Sequence, residues 1–281
     1  MQIEFDHPTR GKHYQQANDA FPHARRREID LMLQSIGAKP GEHIVEFGCG
    51  SGVITKPLAQ QVGRRGRIYA YDNSRAAIAG LRARVPHDNV ESHVMADERI
   101  PLSNGSVDAV ITMANFHHVV DKHRIFREFS RVLKREGRVV IGDVADETAV
   151  QRFFDGPVDR FCSTGHRHPF VNPALAWNLC SEADLEFASW DLAYVPWEFR
   201  DESEAARFIH LLFDATSSPE ECLREAKQYL GYRVNGTFLL HWQLFFMVAR
   251  KKCAVPSFEV AVPTLTASVE QASAGHLVQP S

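Results

Sequence analysis

The chain has 281 residues, of which 44% are hydrophobic and 24% charged, and its formal net charge is −3. This length allows one large α/β domain or two small ones, and the ordinary glycine and proline content excludes collagen-like and wholly disordered chains. The balance of 32 basic and 35 acidic residues argues against a dedicated nucleic-acid-binding protein.

The cysteines and the chain ends bear on the cellular setting. Five scattered cysteines do not form a disulfide framework, so we expect reduced thiols and a cytoplasmic location. The N-terminus has no apolar signal-peptide core, and no run of about 18 apolar residues is present, so no membrane span is predicted. The C-terminal residues 254–281 are rich in small residues and proline, and we expect them to be disordered.

The predicted elements begin after a polar, aperiodic segment, residues 1–23, that we expect to act as an N-terminal lid. A helix is predicted over 24–36, where apolar residues recur with helical spacing. Short β-rich runs then alternate with helical windows. The predicted strands are His43–Phe47, Arg67–Tyr71, Val90–Met95, Val107–Met113 and Arg138–Gly142, and the predicted helices are Gly52–Val62, Arg75–Val85 and Asp121–Arg135. This alternation predicts an α/β fold, a doubly wound parallel sheet with helices on both faces.

The second half of the chain changes in character. A helical cap is predicted in two parts, 145–184 and 201–231, separated by a strand over 185–195 and followed by an apolar strand over 237–250. Of the 28 aromatic residues, 18 lie between positions 151 and 250. Such a concentration favours an apolar substrate pocket in this part of the chain.

A glycine loop follows the first predicted strand. Gly48, Gly50 and Gly52 stand between an apolar strand and a helix, where glycine lets the backbone approach a ligand closely and helix N–H groups favour an electron-rich group. The spacing differs from the G-x-G-x-x-G of a dinucleotide site, and Glu46 precedes the loop. A carboxylate there disfavours a pyrophosphate and suits a ligand with positive charge, such as an α-amino group or a sulfonium.

Acidic residues follow the next two strands. Asp72 ends the second strand, and a doubly wound fold brings that position beside the glycine loop. Its carboxylate can accept hydrogen bonds from both hydroxyls of a ribose, and Asn73 beside it is expected in the same site. Asp97, after the third strand, can accept a hydrogen bond from the exocyclic amine of an adenine.

Together these segments resemble the class I S-adenosylmethionine-dependent methyltransferases, in particular the branch typified by ubiquinone and menaquinone biosynthesis. The resemblance covers residues 24–143, about half of the chain. The motifs that carry it are Glu46-x-Gly48-x-Gly50-x-Gly52, Asp72, Ala96-Asp97-Glu98-x-Ile100-Pro101, Val107-Asp108-Ala109-Val110, Phe116-His117-His118-Val119-Val120-Asp121 and Arg131-Val132-Leu133-Lys134-Arg135-Glu136-Gly137. The order Ala96-Asp97 departs from the family, in which Asp or Asn commonly precedes Ala, so the residue that meets the adenine amine stays open.

The resemblance implies a methyltransferase domain over 24–253. It also implies a Rossmann-like sheet of seven strands in the order 3-2-1-4-5-7-6, with the last strand antiparallel and the cap inserted after strand 5. S-adenosylmethionine would bind over the ends of strands 1, 2 and 4. The residues implied for it are Glu46, Gly48 and Gly50 beside the methionine part, Gly52 in the same loop, Asp72 and Asn73 at the ribose, Ala96, Asp97 and Glu98 around the adenine, Asn115 at the sulfonium, and Tyr14 in the lid.

The histidines suggest a base more readily than a metal site. His117 follows the fourth strand, where cofactor and acceptor should meet, and imidazole titrates near neutral pH, so it is the candidate general base. His118 is expected to pack against the next helix. Cys162, His166 and His168 lie close in sequence, but their spacing matches no zinc signature. No metal site is therefore predicted, and the two histidines are kept as possible substrate contacts.

The sequence thus predicts an enzyme that transfers a methyl group from S-adenosylmethionine to a small, aromatic or apolar molecule. The basic run 25–27 is interpreted as a solvated helix face and not as a nucleic-acid patch. Two alternatives stay open: a non-catalytic S-adenosylmethionine-binding regulator or partner subunit, and a tRNA or protein methyltransferase. A nicotinamide dehydrogenase is disfavoured by the glycine spacing and by Glu46.

Overall fold

The computed structural model describes residues 9–95 and 99–252. The strands are β1 His43–Phe47, β2 Arg67–Asp72, β3 Val90–Val94, β4 Val107–Met113, β5 Leu133–Asp143, β6 Leu185–Tyr194, β7 Trp197–Phe199, β8 Tyr232–Asn235, β9 Thr237–Leu240 and β10 Gln243–Lys251. The helices are α1 Arg10–Ala20, α2 Arg26–Ile36, α3 Thr55–Val62, α4 Arg75–Arg84, α5 Lys122–Val132, α6 Ala149–Phe153, α7 Asp159–Phe161, α8 Pro173–Glu182, α9 Glu202–Leu212 and α10 Pro219–Leu230. The described residues also form a 3₁₀ turn over Phe116–His118 and a π turn over Phe154–Val158.

The main sheet within these residues has seven strands in the order β3-β2-β1-β4-β5-β10-β6. Strands β1 to β5 run parallel to one another, and β10 is antiparallel to both β5 and β6. The predicted Rossmann-like order is therefore confirmed, with β10 as the seventh strand of this sheet. The central strand β1 is buried along nearly its whole length, as expected when helices cover both faces of a parallel sheet.

Helix α5 illustrates how the sequence forms these covering layers. Its N-terminus is capped by Asp121, whose side chain accepts a hydrogen bond from the Arg124 backbone N–H at 2.8 Å. Its apolar residues recur at helical spacing, so that one face is fully buried against the sheet. The residues of that face are Ile125, Phe126, Phe129 and Val132.

The apolar run predicted as one strand over 237–250 is two strands in the structure. The chain leaves β9 at Leu240 and enters β10 at Gln243, and the two strands belong to different sheets. Trp242 lies at the break, stacked on Trp197 with ring centroids 3.8 Å apart. The run is divided because β9 pairs with β7 and β8 in a small sheet that periodicity did not predict.

Helix α1 lies in the polar, aperiodic segment at the start of the chain, where no helix was predicted from the sequence. The helix is held by tertiary contacts because it has almost no apolar face. At its N-terminal end, Thr9 donates a hydrogen bond to Asp214 at 2.9 Å, and His13 Nδ1 lies 2.6 Å from the same carboxylate. At its other end, Asp19 pairs with Arg84 on α4.

Three predicted segments lie outside the described residues: the first eight residues of the lid, the stretch Ala96–Glu98, and the C-terminal tail 254–281. None of the helices within residues 9–95 and 99–252 combines the length and the apolar character that a membrane crossing requires.

Candidate functional site

The glycine loop makes a close backbone contact with the end of β4. Gly48, Gly50 and Gly52 all have positive φ, at +73°, +51° and +90°. A Cβ atom on Gly48 would lie only 2.1 Å from Cγ of Asn115. Glycine is therefore required at this position both for its conformation and for space.

Asp72 joins the tip of β2 to the glycine loop. Its Oδ2 accepts a hydrogen bond from the Gly50 backbone N–H at 2.8 Å, and its Oδ1 accepts one from Ser74 N–H at 2.9 Å. The side chain thus fixes the loop and faces the space in front of it.

That space is an open cleft, called here the loop cavity, with about 570 Å³ of empty space when the adjoining solvent is included. Its lining brings together most of the residues that the sequence assigned to a cofactor. These are Tyr14, Gly48, Gly50, Asp72, Asn73 and Asn115. Glu46 and Gly52 are not part of this lining, and Ala96, Asp97 and Glu98 lie outside the described residues.

Glu46 lies buried at the end of β1, next to the loop. Its Oε2 has no hydrogen-bond partner among the described residues. Burial raises the pKa of this carboxyl to about 8, and the nearby charge of Asp72 adds to the effect. An unpartnered buried oxygen is unusual in a folded protein, and it suits a cationic or donor group of a ligand.

A second open cleft, called here the aromatic cavity, adjoins the first and has about 540 Å³ of empty space when the adjoining solvent is included. Its apolar walls include Phe154, Trp197, Phe213 and Trp242, and three histidines, His117, His118 and His166, line it as well. Tyr14 and Ala114 line both cavities.

Ala114, which follows β4, has a left-handed backbone with φ of +49°. Such a conformation costs a residue with a side chain about 1–2 kcal/mol. Strain of this kind concentrates at functional sites, and here it coincides with the junction of the two cavities.

The basic run 25–27 is a solvated face at Arg26 and Arg27, as predicted, but not at Arg25. Its side chain is only 6% exposed, and it is paired with the carboxylate of Glu28. It also donates a hydrogen bond to the Tyr14 hydroxyl at 2.9 Å, while Trp197 donates to Glu28 at 3.3 Å. The buried pair therefore holds Tyr14 at the boundary between the cavities.

His117 is fixed by Asp143 at the end of β5. Its Nδ1 lies 2.7 Å from Oδ1 of Asp143, and its backbone N–H donates to Oδ2 at 3.0 Å. Burial alone would raise the pKa of Asp143, but the His117 imidazole and backbone N–H donors hold it below its ordinary value. The ring thus has one nitrogen engaged by a carboxylate.

Three further histidines surround this ring, an arrangement that sequence reasoning missed. The ring centroids of His118 and His166 lie 4.0 and 5.2 Å from that of His117, and His168 lies 4.4 Å from His118. Burial, together with the neighbouring rings, holds the pKa of His118 and of His166 well below the ordinary value. Cys162 lies instead against Arg10, whose guanidinium donates to its Sγ at 3.1 Å.

Known proteins resemble this chain in sequence. A family model described as a methyltransferase domain matches residues 45–141. An uncharacterized 37.1 kDa protein in transposon TN4556 of Streptomyces fradiae is 33% identical over 81% of this chain and 68% of its own length. The 2-phytyl-1,4-naphtoquinone methyltransferase of Trichormus variabilis is 28% identical to this chain. The aligned region covers 46% of this chain and 59% of that enzyme.

The fold also resembles solved structures. A Bacillus halodurans protein provisionally named a methyltransferase superposes with a TM-score of 0.61 and 18% identity, over 80% of this chain and 99% of that one. At this level of identity the likeness concerns the fold alone.

Proposed function

Because the chain belongs to the class I S-adenosylmethionine-dependent methyltransferases, we propose that it transfers a methyl group from S-adenosylmethionine to a small, aromatic or apolar molecule. The observation that carries this proposal is the junction of the two cavities at Tyr14 and Ala114. A donor in the loop cavity and an acceptor in the aromatic cavity meet there. Methyl transfer demands mainly that the reactants be held in line at near-attack distance.

The residues of the loop cavity fit the donor. Gly48 and Gly50 let the backbone approach the methionine part. Glu46 is buried behind this lining, and its unpartnered oxygen suits the α-ammonium group at this end of the cavity. The Asp72 carboxylate is assigned to the ribose, with Asn73 next to it. Gly52 shapes the loop behind them, and the adenine contacts of residues 96–98 stay a prediction.

Bound S-adenosylmethionine supplies an activated methyl group on a sulfonium. In our proposal Asn115 lies at the sulfonium end, and Tyr14 covers the junction and excludes water. His117, oriented by Asp143, accepts a proton from an acceptor that is a phenol or an acidic carbon.

The acceptor class follows from the walls of the second cavity. Aromatic rings on several sides favour a flat apolar molecule, and one relative is named for a naphthoquinone substrate.

The cellular setting is proposed from the cysteines of the described residues. Cys49, Cys162, Cys180 and Cys222 are buried and form no disulfide, which supports the predicted reducing, cytoplasmic setting.

Calorimetry with S-adenosylmethionine, S-adenosylhomocysteine and NAD tests the donor assignment. We expect the first two to bind and NAD to give no response. Asp72→Ala should weaken S-adenosylhomocysteine binding at least about tenfold, because hydrogen bonds to a charged group contribute about 1.5–3 kcal/mol. Asp191→Ala, which removes an exposed strand carboxylate, is the matched control. Binding of NAD alone, or equal affinity in both variants, would contradict the proposal.

A further inference from the structure

The histidine cluster of the aromatic cavity has a use beyond proton transfer. We propose that His117, His118 and His166 bind a divalent transition-metal ion such as Zn²⁺. The site itself rests on their geometry and does not depend on the proposed methyl transfer.

The three side chains are close enough to share one ion. One ligand nitrogen from each can be chosen so that all lie within 4.8 Å of one another. A tetrahedral zinc ion with Zn–N bonds of about 2.0–2.1 Å holds its nitrogens about 3.4 Å apart. The three nitrogens therefore have to approach one another by at most about 1.4 Å when the ion binds.

His166 supplies an independent reason to expect a ligand. It is 1% exposed, and neither Nδ1 nor Nε2 has a hydrogen-bond partner among the described residues. Buried polar atoms are almost always paired, because leaving one unpaired costs about 1–3 kcal/mol. A metal ion gives this imidazole the partner that it otherwise lacks.

Asp143 gives His117 the orientation of a metal ligand. Histidine ligands usually donate their second ring N–H to a carboxylate, which fixes the tautomer and strengthens the ligand. Here Nδ1 of His117 lies 2.7 Å from Asp143, which itself accepts a hydrogen bond from Val144 N–H at 2.7 Å. Nε2 of His117 is thereby the nitrogen directed to the ion.

The chain brings these ligands together from two distant segments. His117 and His118 end the 3₁₀ turn after β4, whereas His166 stands in the loop after α7. That loop is positioned by Asp159, which accepts a hydrogen bond from the His166 backbone N–H at 2.9 Å. No local spacing pattern joins the two segments, so the zinc signatures sought in the sequence did not apply.

Three protein ligands are the set found in catalytic zinc sites, which keep an open position. His117, His118 and His166 all line the aromatic cavity, so that position is available to the acceptor. This step rests on the proposed function: it selects acceptors with a hydroxyl or keto oxygen beside the methylated atom. With the ion bound, Nε2 of His117 is a ligand, so the proton transfer assigned to His117 above belongs to the metal-free protein only.

Zinc titration of the untagged full-length chain, stripped with a chelator, tests the site. We expect calorimetry and elemental analysis to give about one bound Zn²⁺ per chain, and His117→Ala, His118→Ala and His166→Ala each to weaken binding at least about 100-fold. Asp143→Asn should weaken it about 10- to 100-fold through the orientation of His117. His123→Ala, an exposed histidine paired with Glu182, should leave zinc affinity unchanged.

S-adenosylhomocysteine binding, measured on the same variants, reports that each is folded. Absence of stoichiometric zinc binding in the wild type overturns the metal site, as does equal affinity in the three histidine variants and in His123→Ala. Zinc binding without S-adenosylhomocysteine binding by the wild type instead overturns the proposed function and leaves the metal site standing. The two failures are therefore distinguishable.

Discussion

Replacing Gly48 by alanine perturbs the contact between the glycine loop and the end of β4. The new Cβ would lie 2.1 Å from Cγ and 2.7 Å from Cβ of Asn115, whereas carbon atoms normally approach to about 3.5–4.0 Å. The new residue would also hold a φ of +73°, which costs an L-residue about 1–2 kcal/mol.

The magnitude follows from these two contributions. Overpacking a well-filled site costs about 1–3 kcal/mol. Added to the backbone cost, it lowers the free energy of unfolding of Gly48→Ala by about 2–5 kcal/mol. In a domain of this size each kcal/mol lowers Tm by about 2–4 °C. Urea unfolding followed by circular dichroism measures the loss directly.

Gly236→Ala is the matched control. Gly236 has nearly the same φ, +74°, but nothing lies within 4 Å of its missing Cβ. The control should lose only the backbone contribution, so the two variants differ by about 1–3 kcal/mol. Adding Asn115→Gly to Gly48→Ala removes the side chain that the new Cβ meets, so the double variant should recover this steric part of the free energy of unfolding. Equal losses in the two single variants, or no recovery in the double variant, would refute the steric argument.

Two other perturbations follow from buried carboxyl groups. Glu28→Ala leaves Arg25 buried without its carboxylate, so the free energy of unfolding should fall by about 3–5 kcal/mol. Asp30→Ala, which breaks an exposed pair with Arg26, should cost less than about 1 kcal/mol; similar urea midpoints for both variants would contradict the burial argument. The pKa of Glu46 rises from 4.5 to about 8 on folding, so the folded state binds more protons than the unfolded state between these values. The stability of the wild type should therefore decline as pH rises through that window. In Glu46→Gln this decline should be weaker. If the free energy of unfolding, measured by urea at several pH values, changes with pH in the same way in both proteins, the raised pKa of Glu46 is excluded.

Much of the fold was predictable because its information is local. Alternating strands and helices predict the strands β1 to β5, and each predicted strand there overlaps an observed one. The order of the strands in the sheet was predicted only from the family resemblance. The break between β9 and β10 was not predictable, since it depends on Trp242 stacking on Trp197, 45 positions earlier in the sequence. Helix α1 was missed for a similar reason: contacts with Asp214 hold it, not an apolar face of its own.

The site divides in the same way. The glycine loop and Asp72 could be assigned from spacing because a strand and its following turn place them. Arg25 looked solvated because its partners include Trp197 through Glu28, a contact between residues 169 positions apart. The histidine cluster likewise joins His117 to His166, which only the tertiary fold brings together.

Helix α1 lies over both cavities at once. Arg10 contributes to the wall of the aromatic cavity, Gln15 to that of the loop cavity, and Tyr14 to both. Its two ends are tied to Asp214 and to Arg84. A substitution that releases either tie should therefore change the walls of both cavities together, and not those of one cavity alone.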